Sequence, residues 1–67
     1  MNERISIRPD VGHGQACIKG TRIPVFQIVR MLAGGDTIDD LLAEYPSLVH
    51  ADILACLDYA ASLAVAA

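Results

Sequence analysis

A mainly α domain with a short β region at its N terminus is what this sequence predicts, on three observations. Apolar residues recur at i, i+3, i+4 and i+7 in stretches after Pro24, the period of a helix with one buried face. Arg4-Ile5-Ser6-Ile7-Arg8 alternates polar and apolar side chains instead, which is the period of a strand. Glycines and prolines stand where those patterns break. The 67 residues make a single domain, 1–67, with a strand region over 1–24 and a trihelical region over 25–67.

In the first region, Ile5 and Ile7 would share one face of the strand, Pro9 ends it, and Asp10-Val11-Gly12-His13-Gly14 reads as a loop. Ala16-Cys17-Ile18 and Thr21-Arg22-Ile23 flank Lys19-Gly20, which fits a two-residue hairpin, although Asn-Gly or Asp-Gly would be the stronger signal. Hairpin and plain loop both stay open there.

Pro24 has the preset φ of a first helical turn, and Val25, Ile28, Val29 and Leu32 then form one stripe. Gly34-Gly35 stops that helix. Thr37, with Asp40 three residues on, is a capping-box variant opening a second helix, whose stripe is Ile38, Leu41, Leu42 and Tyr45. Pro46 forces the chain out at or before Tyr45. A third helix is expected from about Val49 to Ala64, with Ser47 the nearest N-cap.

That third helix departs from ordinary amphipathicity. Val49, Ile53, Cys56, Leu57 and Ala60 form a stripe, while Leu54, Ala61 and Val65 spread beyond it. A helix apolar most of the way round is buried on more than one side, and two short neighbours cannot cover it. Mean hydropathy is +0.43, high for a chain so small that much of its surface must face water. Ile53, Leu54, Leu57, Ala61 and Val65 are therefore the candidate contacts for a partner or a second copy.

Charge is divided between the halves. Residues 1–30 carry Arg4, Arg8, Lys19, Arg22 and Arg30 against Glu3 and Asp10, a net +3; residues 31–67 carry six carboxylates and no Lys or Arg. The acidic, apolar half suits protein; nucleic acid, whose binding rests on phosphate neutralisation, suits only the N-terminal half. Arg4, Arg8, Lys19 and Arg22 are the candidate nucleic-acid contacts, on a ribbon or arm. Solvated charge that protects a strand edge is the alternative, and Arg22 has a further one, bracing the chain against Asp36 or Asp39.

Other chemistry is not expected. His13, Cys17, His50 and Cys56 lack paired metal-ligand spacing, so no cofactor or metal is anticipated. Cys17 with a histidine would need a pocket that so short a chain cannot readily build. Asp39 and Asp40 diverge by about 100° on a helix, and capping accounts for them. The chain is therefore read as no enzyme. Its opening MNERISIRP has no apolar signal core and its longest apolar run, Ala60 to Ala67, is far below a bilayer span. A cytoplasmic location with free thiols and no membrane contact is the expectation.

The run GQACIKGTRIPVFQIVRMLAGGDTIDDLLAEYPSLVHADILACLDYAA resembles domain of unknown function 433, whose pattern is a Cys-Ile-x-Gly-Thr-Arg-Ile-Pro-Val block, a Leu-Ala-x-Gly helix end, an acidic short helix, Tyr-Pro and a helix ending Tyr-Ala. The block from Cys17 to Val25 is its specific part. Val49-His50-Ala51 stands where relatives have a polar helix start with a Ser or Thr cap, and the final SLAVAA lacks the charged tail of many relatives. The resemblance implies a helix-turn-helix-like fold and the antitoxin half of a type II toxin–antitoxin pair, VapB-like, whose partner is a PIN-like ribonuclease toxin. It implies operator DNA as a further partner, and a homodimer fits the apolar excess. The layout from Thr37 through Pro46 to the third helix agrees with a helix-turn-helix scaffold, but without cations its last helix is a poor reader of a major groove. A stand-alone DNA-binding regulator, or a dimerisation module that binds no nucleic acid, are the competing functions.

Overall fold

The computed structural model describes residues 2–65, which form β1 (Ile5–Ile7), a 3₁₀ turn (Gly12–Gly14), β2 (Ala16–Ile18), α1 (Val25–Ala33), α2 (Ile38–Glu44) and α3 (His50–Val65). A β region followed by three helices is thus the architecture found. The last two residues of the Ala60–Ala67 run lie outside the described residues.

The β region is a two-stranded antiparallel hairpin, and Lys19-Gly20, where hairpin and plain loop both stay open on sequence, is not its connection. β1 and β2 pair antiparallel, with Ile5 opposite Ile18, Ser6 opposite Cys17 and Ile7 opposite Ala16, so the connection is the longer 8–15 loop. Lys19-Gly20 forms the centre of a separate β-turn, in which the Thr21 N–H donates to the Ile18 carbonyl at 3.0 Å and Gly20 has φ +80°. That is a type II turn, which needs glycine at its third position. Beyond it the chain returns only far enough for the Ile18 N–H to donate to the Ile23 carbonyl, with one bridge from Cys17 to Pro24. The Thr21 hydroxyl donates to the Ile18 carbonyl and accepts the Ile23 N–H, which locks the turn.

One side of this small sheet meets the helices. Ile5, Ile18, Val25, Ile28, Leu41, Leu48, Ile53, Ala55 and Cys56 make the buried cluster. Ile7, expected on the same face as Ile5, is exposed, whereas Ile5 belongs to the buried cluster. Both cysteines are free and buried. Burial, with the Asp52 carboxylate second, pushes the Cys56 thiol up to about 11, so it stays protonated and unreactive.

Local chemistry sets the helix ends. α1 closes in a Schellman motif: the Asp36 N–H donates to the Met31 carbonyl and the Gly35 N–H to the Leu32 carbonyl, with Gly35 at φ +107°. α2 opens in a full capping box, the Thr37 hydroxyl accepting the Asp40 N–H at 3.1 Å and the Asp40 carboxylate accepting the Thr37 N–H at 2.8 Å. Those bonds hold the Asp40 carboxyl below its ordinary 3.8. A depressed folded-state value stabilises above the ordinary value and is lost as pH falls through the folded one. Asp40→Asn is therefore expected to flatten the decline of Tm below about pH 4, compared with the parent in parallel thermal melts.

α3 is capped differently from the expectation. Ser47 makes no cap bond; Val49 precedes the helix, and its N–H donates to the Asp52 carboxylate at 2.9 Å. Asp52 thus supplies from the third helical position one half of a capping box, the bond that accepts the backbone N–H of the N-cap residue.

Candidate partner-binding surface

α3 lies chiefly against α1 and also meets α2 and β1. Its buried residues are Asp52, Ile53, Ala55 and Cys56. At about 100° per residue these share one side of the helix. Leu54, Leu57, Ala61 and Val65 occupy a sector of about 80° on the other side, and Leu54, Leu57 and Val65 are 49%, 40% and 86% exposed. Ala61 is exposed as well.

Ile53 requires a correction. It is 0% exposed and belongs to the intramolecular core, so it cannot touch a partner without unfolding. Only four of the five predicted contact residues lie on the outer stripe. The prediction that α3 is apolar on more than one side describes the helix found, with core on one side and solvent-facing leucines on the other.

The predicted basic contacts separate into two groups. Arg4 and Lys19 line one shallow depression together with Glu3 and Asp52. The Arg4 Nη1 lies 3.0 Å from the Asp52 Oδ1, an ion pair in which the arginine side chain is half exposed and the aspartate nearly buried. Arg4 is thereby spent on joining the N-terminal segment to the start of α3. Arg8 and Arg22 line a second depression, with Ser6, Asp10, Gly20 and Thr21 among its walls. Arg8 is paired with Asp10 at 3.2 Å, both side chains well exposed. Arg22 takes part in neither ion pair found among the described residues, so it does not brace Asp36 or Asp39. Two of the four cations are thus neutralised by carboxylates, Arg4 by Asp52 and Arg8 by Asp10.

Asp52 carries two jobs, the α3 cap bond and the Arg4 pair. A cap bond is worth about 1 kcal/mol, and a pair with a half-exposed arginine is worth about 0.5 kcal/mol after solvent screening. With both lost, Asp52→Ala is expected to cost about 1.5 kcal/mol. That corresponds to a Tm lower by about 6–12 °C in a domain of this size. Arg4→Ala should shift Tm by only a few degrees, about 0.5 kcal/mol.

A second apolar surface escaped the sequence reading. Between α1, α3 and the start of β2 runs an open groove of about 480 Å³, whose walls include Val25, Phe26, Val29, Tyr59, Ala60 and Leu63. Phe26 and Leu63 are exposed. Among the described residues Arg30 is the one charged residue along it, with its guanidinium carbon 5.2 Å from the centre of the Phe26 ring. The signal for it was Phe26 itself, a large aromatic lying off the Val25–Leu32 stripe. Among the described residues there is no cluster of three or more His, Cys, Asp or Glu able to hold a metal ion, and no helix long and apolar enough to cross a membrane.

Comparison with known proteins gives three likenesses. Residues 5–60 match the family described as "Protein of unknown function (DUF433)". "Uncharacterized protein y4eO" of Sinorhizobium fredii is 33% identical over 46 residues, which cover 69% of this chain and 21% of that protein. The crystal structure of a DUF433 member from Anabaena variabilis superposes with a TM-score of 0.82 at 41% identity, covering 87% of this chain and 57% of that one. This chain thus spans about a fifth of the length of the first relative and just over half of the second.

Proposed function

This chain belongs to the DUF433 family, and from that premise we propose that it is an antitoxin, a non-catalytic module that binds and neutralises a PIN-like ribonuclease. The observation that carries this reading is the outer stripe of α3: Leu54, Leu57, Ala61 and Val65 face solvent in a half of the chain that has no Lys or Arg. A ribonuclease must attract a polyanion, so its substrate path is basic. An apolar helix among carboxylates complements such a surface and repels RNA from it, so one contact both anchors and inhibits. Anchors at i, i+3 and i+7 are those of a helix laid into a groove.

Co-expression with the neighbouring short open reading frame tests the proposal. The neighbour should arrest growth alone, spare it when this chain is present, and co-purify with this chain. A neighbour that is harmless alone, or that separates on purification, overturns the reading.

Operator binding by the assembled, homodimeric complex would fall to Lys19 and Arg22, with Arg8, whose pair with Asp10 is solvent-exposed and weak, whereas the partner of Arg4 is nearly buried. Arg8→Glu with Arg22→Glu, two cations in each of two copies, should then lower the slope of log affinity against log salt by about four. An unchanged slope removes DNA from the proposal and leaves toxin binding standing.

A further inference from the structure

The groove between α1 and α3 is separate from the outer stripe, its α3 walls lying about 150° around the helix from Leu54, Leu57 and Ala61. We propose that it receives a helix from another protein chain, one that carries aliphatic anchors and a carboxylate placed to meet Arg30. The chain would then be two-sided, able to hold a partner on each face of α3 at once.

Charge and hydrogen bonding select this occupant. The groove is apolar along Val25, Phe26, Val29 and Leu63, and Arg30 is its only charge among the described residues. Arg30 takes part in neither ion pair found among the described residues, and its guanidinium rests against Phe26. A planar guanidinium held on an aromatic face keeps its edge donors available for bidentate contact with a carboxylate. An added strand is disfavoured at the β2 wall, because β2 pairs with β1 on one side and bridges to Pro24 on the other. A helix needs no such edge. The volume, about 480 Å³, falls in the range that accepts several side chains.

A second copy of this chain fits less well. Two grooves facing each other across a two-fold would offer Arg30 no carboxylate from the lining found among the described residues. Inserting the outer stripe of one copy into the groove of the next would be a head-to-tail contact that need not close.

The test uses the full chain, isotope-labelled, and two synthetic amphipathic peptides of about 15 residues. They share leucines at i, i+3, i+4 and i+7 and differ only in carrying Glu or Lys beside that stripe. The Glu peptide should shift the resonances of Phe26, Val29, Tyr59 and Leu63, bind at least about tenfold tighter than the Lys peptide, and lose that preference to the Lys peptide in Arg30→Glu. Leu63→Asp, altered at an exposed position, should weaken both peptides while leaving the melting curve close to the parent's. The proposal is overturned if the two peptides bind equally, if neither binds, or if the shifts map to Leu54 and Leu57 instead. Groove shifts that appear on concentrating the chain alone would also overturn it, in favour of self-association. None of these readouts involves a toxin, so failure of the co-expression test would leave the peptide result interpretable.

Discussion

Replacing Ile53 by alanine is expected to remove most of the stability of this domain. The side chain is 0% exposed and packs in the cluster with Ile28, Leu41 and Cys56. A buried isoleucine cut to alanine costs about 2–5 kcal/mol, through lost transfer energy and the cavity left behind. A 67-residue chain has a core worth only about 3–5 kcal/mol in total. The far-ultraviolet dichroism of Ile53→Ala should therefore melt without a clear folded baseline near room temperature. Ile53→Val, which removes one methylene, should lower Tm by about 4–8 °C, for about 1 kcal/mol. A cooperative Ile53→Ala melt near the parent Tm would show that this residue is not where the core is concentrated.

The neighbouring position should behave in the opposite way. Leu54 and Leu57 are half exposed on the far side of the same helix, so Leu54→Asp with Leu57→Asp removes little intramolecular packing, and Tm should stay within a few degrees of the parent. Binding is where the loss should appear. Two central anchors replaced by carboxylates cost a protein contact at least about 2.7 kcal/mol, or about a hundredfold in affinity. Calorimetry with the co-expressed nuclease, or the growth assay itself, reads this directly. Unaltered affinity in a folded double variant would place the nuclease contact elsewhere on the chain.

Helices α1 and α2 were legible residue by residue, because their instructions are local. The Val25–Leu32 stripe, the glycine pair, and Thr37 with Asp40 act within a few residues of one another. The strand pairing was not, since nothing within Ile5–Ile7 names Ile18 as its partner, and Lys19-Gly20 proved to serve a turn instead of the hairpin loop. On α3 the difficulty was its uniform apolarity: with leucines, alanines and isoleucine on most sides, periodicity does not say which sector meets the core, and Ile53 was grouped with residues that face solvent. Arg4 was read as a free cation because its partner, Asp52, is 48 residues away. The same carboxylate also accepts the backbone N–H of Val49 at the start of α3. The groove beside Arg30 depends on the angle at which α1 meets α3, and no single segment encodes that angle.

The far end of α3 has a kinetic consequence. From Ala61 to Val65 every side chain is exposed, so this last stretch is held by its own backbone ladder with almost no tertiary support. Short, unsupported helical turns open and close at nearly no free-energy cost. Amide exchange should accordingly be slow around Cys56 and rise steeply beyond Tyr59. The outer stripe crosses that boundary, with Leu54 and Leu57 on the preorganised part and Ala61 and Val65 on the fraying part. An incoming partner would meet the first two as a rigid landing point and then zip up the rest. Its arrival rate is set by the first half of the stripe and its residence time by the second.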